Sequence, residues 1–190
     1  MSEERRTLLA DAALEVLAAS GMRGLTHRAV DRAAGLPAGT TSAYFRTRAA
    51  LLTALVRRLV ARDQAELQRT GEAAPVPRTP SELVDGFAAL ARSRLAGEGR
   101  TRSLARYTCA VESVRDPELR EILVPRDNAG RDLVRAFVAA HGAPDPDART
   151  HTLLACVDGL ILDRLLAGAE EVGRDDLEGL VAAALRPQAP

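Results

Sequence analysis

Residues 25–46, LTHRAVDRAAGLPAGTTSAYFR, constrain this chain more than any other stretch, because they spell two short helices separated by a glycine turn. Thr26 carries the hydroxyl of a helix N-cap, and Gly35 suits the left-handed backbone that ends a helix. Pro37 to Gly39 open a second helix, which Tyr44 and Phe45 close with one polar ring and one apolar ring. This is the layout of a helix-turn-helix.

The rest of the chain favours helices as well. Hydrophobic residues make up 46% of it, aromatics only 3%, and Trp is absent, so the core must be built from Leu, Ala and Val. No segment alternates apolar and polar residues long enough to read as a strand. An all-α protein of about nine helices is expected: a small N-terminal unit followed by a larger bundle.

Residues 4–20 place Leu8/Leu9, Ala12/Ala13 and Val16/Leu17 at helical spacing, and Gly21 is a stop signal. Residues 26–34 and 37–45 form the next two helices. Thr47 caps a fourth that runs to about residue 70, with Leu51, Leu52, Leu55, Val56, Leu59 and Val60 as its apolar stripe. GEAAPVPRTP at 71–80 cannot continue a helix. Ser81 is then the expected cap of a helix to Ala96, GEGR at 97–100 an interruption, and 101–114 another helix. From Pro117 a long helical pattern reaches His141, kinked or split at Pro125. GAPDP at 142–146 is a loop, and 147–168 and 174–185 are the last two helices. The domains expected are 1–46 and 47–190, with 47–70 as the connecting helix.

The formal net charge is zero, so a polyanionic partner would have to meet a local basic patch. All 26 basic residues are arginine. The codon bias of a GC-rich genome is the simplest reason, but each such contact can be bidentate to phosphate or guanine. Cys109 and Cys156 match no zinc spacing and read most simply as buried free thiols, with a redox pair as the sharper alternative. No metal site or cofactor is called for. No signal peptide precedes the first helix and no apolar run nears the ~20 residues of a membrane span, so a soluble cytoplasmic protein is expected, with no membrane partner.

A recognition helix meets the major groove at its N-terminal end. Here that end presents Ala38, Gly39, Thr40, Thr41 and Ser42: little bulk, hydroxyls for phosphates or base edges, and methyls for thymine. Tyr44 can set its phenol against a phosphate, while Phe45 packs inward. Thr26, His27 and Arg28 start the preceding helix, and Arg28 can reach a guanine edge. Arg46 and Arg48 flank the next helix start, where basic groups suit phosphate. Capping alone explains each hydroxyl, but not Arg28, Tyr44 and Arg48 together. Double-stranded DNA is the partner indicated.

Residues 5–59 resemble the N-terminal domain of the tetracycline-repressor family of bacterial transcription regulators. The resemblance rests on Ala12-Ala13, Gly21, Gly24-Leu25-Thr26, Ala33-Ala34-Gly35-Leu36, Gly39-Thr40, Tyr44-Phe45, Arg48 and Leu51-Leu52. The family often has Leu-Tyr after the Gly-Thr pair. This chain has Thr41-Ser42, which removes a phosphate-contacting ring at Ser42 and leaves Tyr44 for part of that role. Beyond residue 60 the resemblance is architectural. It implies a variable helical domain enclosing a small-molecule effector, and two last helices that pair two chains.

Polar residues on apolar helix faces are the candidate effector contacts: Tyr107, Cys109 and Glu112, then Asn128 after Pro125, then Asp158 beside Ile161. A buried carboxylate needs a partner, and the plainer reading pairs Glu112 and Asp158 with Arg106, Arg131 or Arg164. Leu153, Leu160 and Ala167 recur every seven residues and fit a homodimer interface, or else an intramolecular core. A dimer suits a palindromic operator, whose half-sites lie ~34 Å apart.

The implied function is a DNA-binding regulator, released from its operator by an apolar or amphipathic effector. The alternatives are a helical protein–protein adaptor or a ligand-binding protein without operator binding. A helical enzyme is disfavoured, because His27, His141 and His151 fall at no metal-ligand or catalytic spacing.

Overall fold

The computed structural model describes residues 2–73, 76–123 and 129–187, with backbone only at 70–73. Ten helices and no strand lie among the described residues: α1 Glu3–Gly24, α2 His27–Ala33, α3 Thr40–Tyr44, α4 Arg48–Ala73, α5 Pro80–Leu95, α6 Gly97–Ser113, α7 Pro117–Leu123, α8 Ala129–Ala140, α9 Pro146–Ala167 and α10 Arg174–Leu185. The tenth helix comes from the stretch after Pro117, expected to be kinked or split at Pro125, which forms two helices, α7 and α8. Pro125 itself lies outside the described residues.

The chain forms two compact units, residues 1–68 with 101–125 and residues 69–100 with 126–190. This division differs from the expected boundary at residue 46, because α4 and most of α6 share a core with the first three helices. That core joins Leu9, Leu14 and Leu17 of α1 to Val30, Phe45, Leu51, Leu55 and Leu59, and to Ala105, Cys109, Leu119 and Leu123. Each fully buried Leu side chain contributes about 2–3 kcal/mol by leaving water. In the second unit α9 packs against α5, α8 and α10, through Leu153, Val157, Ile161 and Leu165 on its buried face.

Local chemistry explains where the helices begin. Thr47 caps α4 as expected, its hydroxyl accepting from Ala50 N at 3.0 Å. The cap of α5 is Thr79 rather than Ser81. Thr79 and Glu82 form a reciprocal capping box, with Pro80 holding the first-turn φ. Ser81 instead accepts from Arg174 at 3.0 Å. GEGR opens α6 instead of interrupting the chain. A side chain at Gly99 would lie 1.7 Å from the Ser93 carbonyl oxygen, so only glycine lets the two turns approach this closely. Helix α1 runs past Gly21, but the backbone leaves helical geometry there, at φ 64° and ψ −173°.

No described helix is long and apolar enough to cross a membrane, and no described group of three or more His, Cys, Asp or Glu could hold a metal ion.

Candidate nucleic-acid interface

Helix α2 starts at Thr26, whose extended backbone and hydroxyl, accepting from Ala29 N at 3.2 Å, cap it. It ends at a turn in which Leu36 N donates to Asp31 O at 2.9 Å and Gly35 has φ 64°. Gly39 then takes φ 93°, a left-handed conformation natural to glycine, immediately before α3.

Two side chains of α2 hold α3 at both ends. Asp31, only 3% exposed, accepts from Gly39 N at 2.8 Å, from Thr41 N at 2.7 Å and from the Thr41 hydroxyl at 2.6 Å. One turn earlier, His27 Nε2 donates to the Phe45 carbonyl at 2.7 Å, beyond the last residue of α3. The two lie four residues apart on α2 and therefore share a face. Burial by itself would raise the Asp31 pKa. The hydrogen bonds from the Thr41 hydroxyl, Thr41 N and Gly39 N, with the charge of nearby His27, outweigh it and hold this carboxyl below the usual range.

This network changes the reading of three residues. Thr41 was expected to face DNA, but it is 0% exposed and bonded to Asp31, so it braces the turn from inside. His27 is half-buried with Nε2 committed to the backbone. Arg48 is exposed, but its guanidinium donates to Leu25 O at 3.5 Å and to Met22 O, tying the start of α4 to the end of α1. Asp31 went unnoticed in the sequence because a carboxylate on a short helix reads as a solvated charge. The available signal was its place beside Val30 on the packed face, ten residues before a Thr.

The remaining residues leave an open surface. Thr26, Arg28, Ala38, Gly39, Ser42 and Arg46 are exposed, and Thr40 and Tyr44 are half-buried. The Thr40 hydroxyl donates to Pro37 O at 2.7 Å. Phe45 is buried as expected, and the Arg6 guanidinium lies 5.8 Å from the Tyr44 ring centroid and 5.6 Å from that of Phe45.

The candidate effector residues do not gather on one face in either unit. In the first, Tyr107 and Glu112 are half-buried, while Cys109 is 0% exposed within the core. Burial pushes the Cys109 thiol up to about 12, against the pull of Arg106 and with the push of Glu112. Arg106 is held by Asp63, its Nε donating at 3.0 Å. In the second unit Ile161 is buried and Asp158 pairs with Arg94 at 3.4 Å. Asn128 lies outside the described residues. Of the candidate dimer residues, Leu153 is 3% exposed in its own chain, Leu160 is half-buried and Ala167 is exposed. The open face of α9 carries Thr152, Ala155, Cys156, Gly159 and Leu166, the last 80% exposed. Cys156 is therefore not the buried thiol expected.

Comparison with known proteins agrees with this architecture. Residues 9–55 match the model for bacterial regulatory proteins of the tetR family, and residues 78–187 match the tetracyclin repressor-like C-terminal domain. A transcriptional regulator from Rhodococcus sp. Rha1 is 26% identical, with 97% of this chain and 94% of that one covered at a TM-score of 0.72. The multidrug binding protein EbrR, solved with ethidium, is 26% identical over 97% of this chain and 99% of its own, at a TM-score of 0.70. A TetR-family member from Streptomyces coelicolor A3 is 27% identical over 95% and 98%, at a TM-score of 0.67. No curated protein matches the sequence. With both halves matched, and with an α2–α3 pair built to present a short helix outward, the chain belongs to the tetracycline-repressor family: it is a DNA-binding transcription regulator, not an enzyme.

Proposed function

We propose that this regulator is a ligand-responsive repressor, which binds a palindromic operator as a homodimer and leaves it when an apolar or amphipathic effector binds. The observation that carries the DNA-binding half is the Asp31 and His27 clamp, which fixes α3 with Ala38, Gly39 and Ser42 outward. Residues 1–46 read DNA, 47–190 bind the effector and pair the chains, and α4 connects the two functions. Such a protein works where the chromosome lies, in the cytoplasm.

The effector half is supported by EbrR, which has been solved with ethidium, proflavin and malachite green. The chemistry of this chain differs in one respect. Of its five aromatic residues, Tyr44 and Phe45 belong to the reading unit, and Phe87 and Phe137 are buried. Tyr107 alone remains for stacking, so an aliphatic-lined seat for an apolar molecule fits better than an aromatic cage. Pairing is supported by the open faces of α9 and α10, where Ala155, Gly159, Gly179, Ala182 and Ala183 are small enough for close helix approach.

Release requires the effector to bind the DNA-free conformer more tightly, with a coupling of typically about 1–3 kcal/mol. A route exists within the first unit. Arg102 and Arg106 on α6 pair with Asp63 and Glu66 on α4, and Arg58 on α4 forks onto Asp11 of α1 at 2.7 and 2.9 Å. A displacement of α6 therefore pulls on α4, and α4 on α1. Fluorescence anisotropy of DNA from the region flanking the gene, with and without candidate effectors, tests the proposal. Equal affinities across a broad effector set would remove the sensor and leave the repressor. Binding without salt dependence, or no binding, would favour the adaptor.

A further inference from the structure

The surface that presents α3 also contains a hollow of about 720 Å³, open to solvent. Arg28 and Arg32 line it, with Ala29, Leu36 and Ala38 as small or apolar walls. The two arginines lie four residues apart on α2, so they are neighbours on one helix face. Both are exposed, and among the described residues neither side chain makes a hydrogen bond or ion pair. We infer that this hollow seats a segment of the operator's sugar–phosphate backbone, and that Arg32 is the cation anchoring its phosphate. The inference rests on the DNA-binding reading and adds to it a residue of α2 that the motif alone did not single out.

Three observations converge on Arg32. The first helix of a helix-turn-helix crosses the DNA backbone, so its outward cations meet phosphates while the next helix meets bases. Of the two cations expected at phosphate, Arg46 stays exposed but Arg48 is engaged by the Met22 and Leu25 carbonyls, and Ser42 lacks a ring, so a further backbone contact on this face has a place to fill. Asp31 also lines the hollow, but its oxygens already accept three hydrogen bonds from Gly39 and Thr41, which offset its repulsion of an incoming anion. The guanidinium fork fits a phosphate through two parallel hydrogen bonds, which an ammonium cannot reproduce.

Phosphate contacts are blind to sequence, so a labelled 30-base-pair duplex of arbitrary sequence is a sufficient probe beside the gene-flanking DNA. The salt dependence of binding is measured for the full chain, for Arg32→Ala and Arg32→Lys, and for Arg92→Ala as an exposed arginine of α5. Arg32→Ala should lower the slope of log affinity against log salt by about 0.9, and weaken both duplexes by the same factor. Arg32→Lys should keep the slope with a smaller loss, and Arg92→Ala should leave both unchanged. Should Arg32→Ala fold poorly by circular dichroism, Arg32→Gln, which keeps most of the stem, takes its place. An unchanged slope overturns the inference, as does a loss confined to one sequence. If inorganic phosphate binds the wild type and not Arg32→Ala while the two bind DNA with equal affinity and slope, the seat belongs to a free anion and the inference also fails. A wild type that binds neither duplex overturns the DNA-binding reading itself.

Discussion

Arginine serves two ends in this chain. Between residues 21 and 46, Arg23, Arg28, Arg32 and Arg46 are exposed and make no side-chain hydrogen bond or ion pair among the described residues, against a single carboxylate, Asp31. Further along, Arg58 and Arg62 share Asp11, Arg94 meets Asp158, Arg102 and Arg106 meet Asp63, Arg135 meets Asp147, and Arg174 meets Asp85 and Glu178. A molecule with zero net charge thus carries a locally basic segment, because residues 21–46 leave four arginines without acidic partners while at least seven elsewhere are paired with carboxylates. Charge totals miss this; the pairing pattern reveals it.

The comparison breaks first at Asp31, the one acid in the free region. Asp31→Ala strands the buried N–H and hydroxyl of Thr41 and frees the more exposed Gly39 N–H, and should cost about 3 kcal/mol in urea unfolding, with loss of DNA binding by anisotropy. Arg28→Ala should preserve folding but narrow the affinity gap between specific and arbitrary DNA by about 1–3 kcal/mol; an unchanged gap would place Arg28 on phosphate alone. In the paired region, Asp63→Asn should destabilise by about 1–2 kcal/mol and blunt the effector's influence on DNA affinity, since Arg102 and Arg106 then lose their shared partner.

Acid should act mainly through the free region. The Asp31 pKa is lower folded than unfolded, so its stabilisation is complete above the unfolded carboxyl range near about 4 and disappears as pH falls through the folded value. Unfolding curves from pH 6 down to 2 should show this loss in the wild type and a weaker pH dependence in Asp31→Asn. The smallest effect concerns thiols. Cys109, buried and pushed up to about 12, should resist alkylation at pH 8 until the chain is denatured, as peptide mass mapping would read.

The reading unit was largely legible because its determinants are local. Thr26, Gly35, Gly39 and Thr47 act on backbone within a few residues, and their roles follow from chemistry and spacing. Asp31 was not legible, since its partners lie eight and ten residues away across a turn. Thr41 misled for the same reason: a hydroxyl two residues after an exposed glycine gives no sign of pointing inward. The candidate effector residues were harder still. Asp158 finds Arg94 sixty-four positions earlier, a pairing that no periodicity predicts. The heptad of Leu153, Leu160 and Ala167 drifts around α9 from buried to exposed, whereas the buried stripe runs through Leu153, Val157, Ile161 and Leu165; periodicity cannot distinguish a chain's own core from a partner's.

The clamp on α3 has one more consequence. Five residues cannot sustain a helix alone, because nucleation outweighs the few hydrogen bonds gained. Held at one end by Asp31 and at the other by His27, α3 is already ordered before DNA arrives. Association then need not include the entropy of ordering it, and the contact energy of each exposed side chain translates more fully into affinity. On the proposed function, the same rigidity would let Ala38 and Ser42 vary to suit a new operator while the frame beneath them stays fixed, so α3 would behave as an exchangeable cassette on a permanent mount.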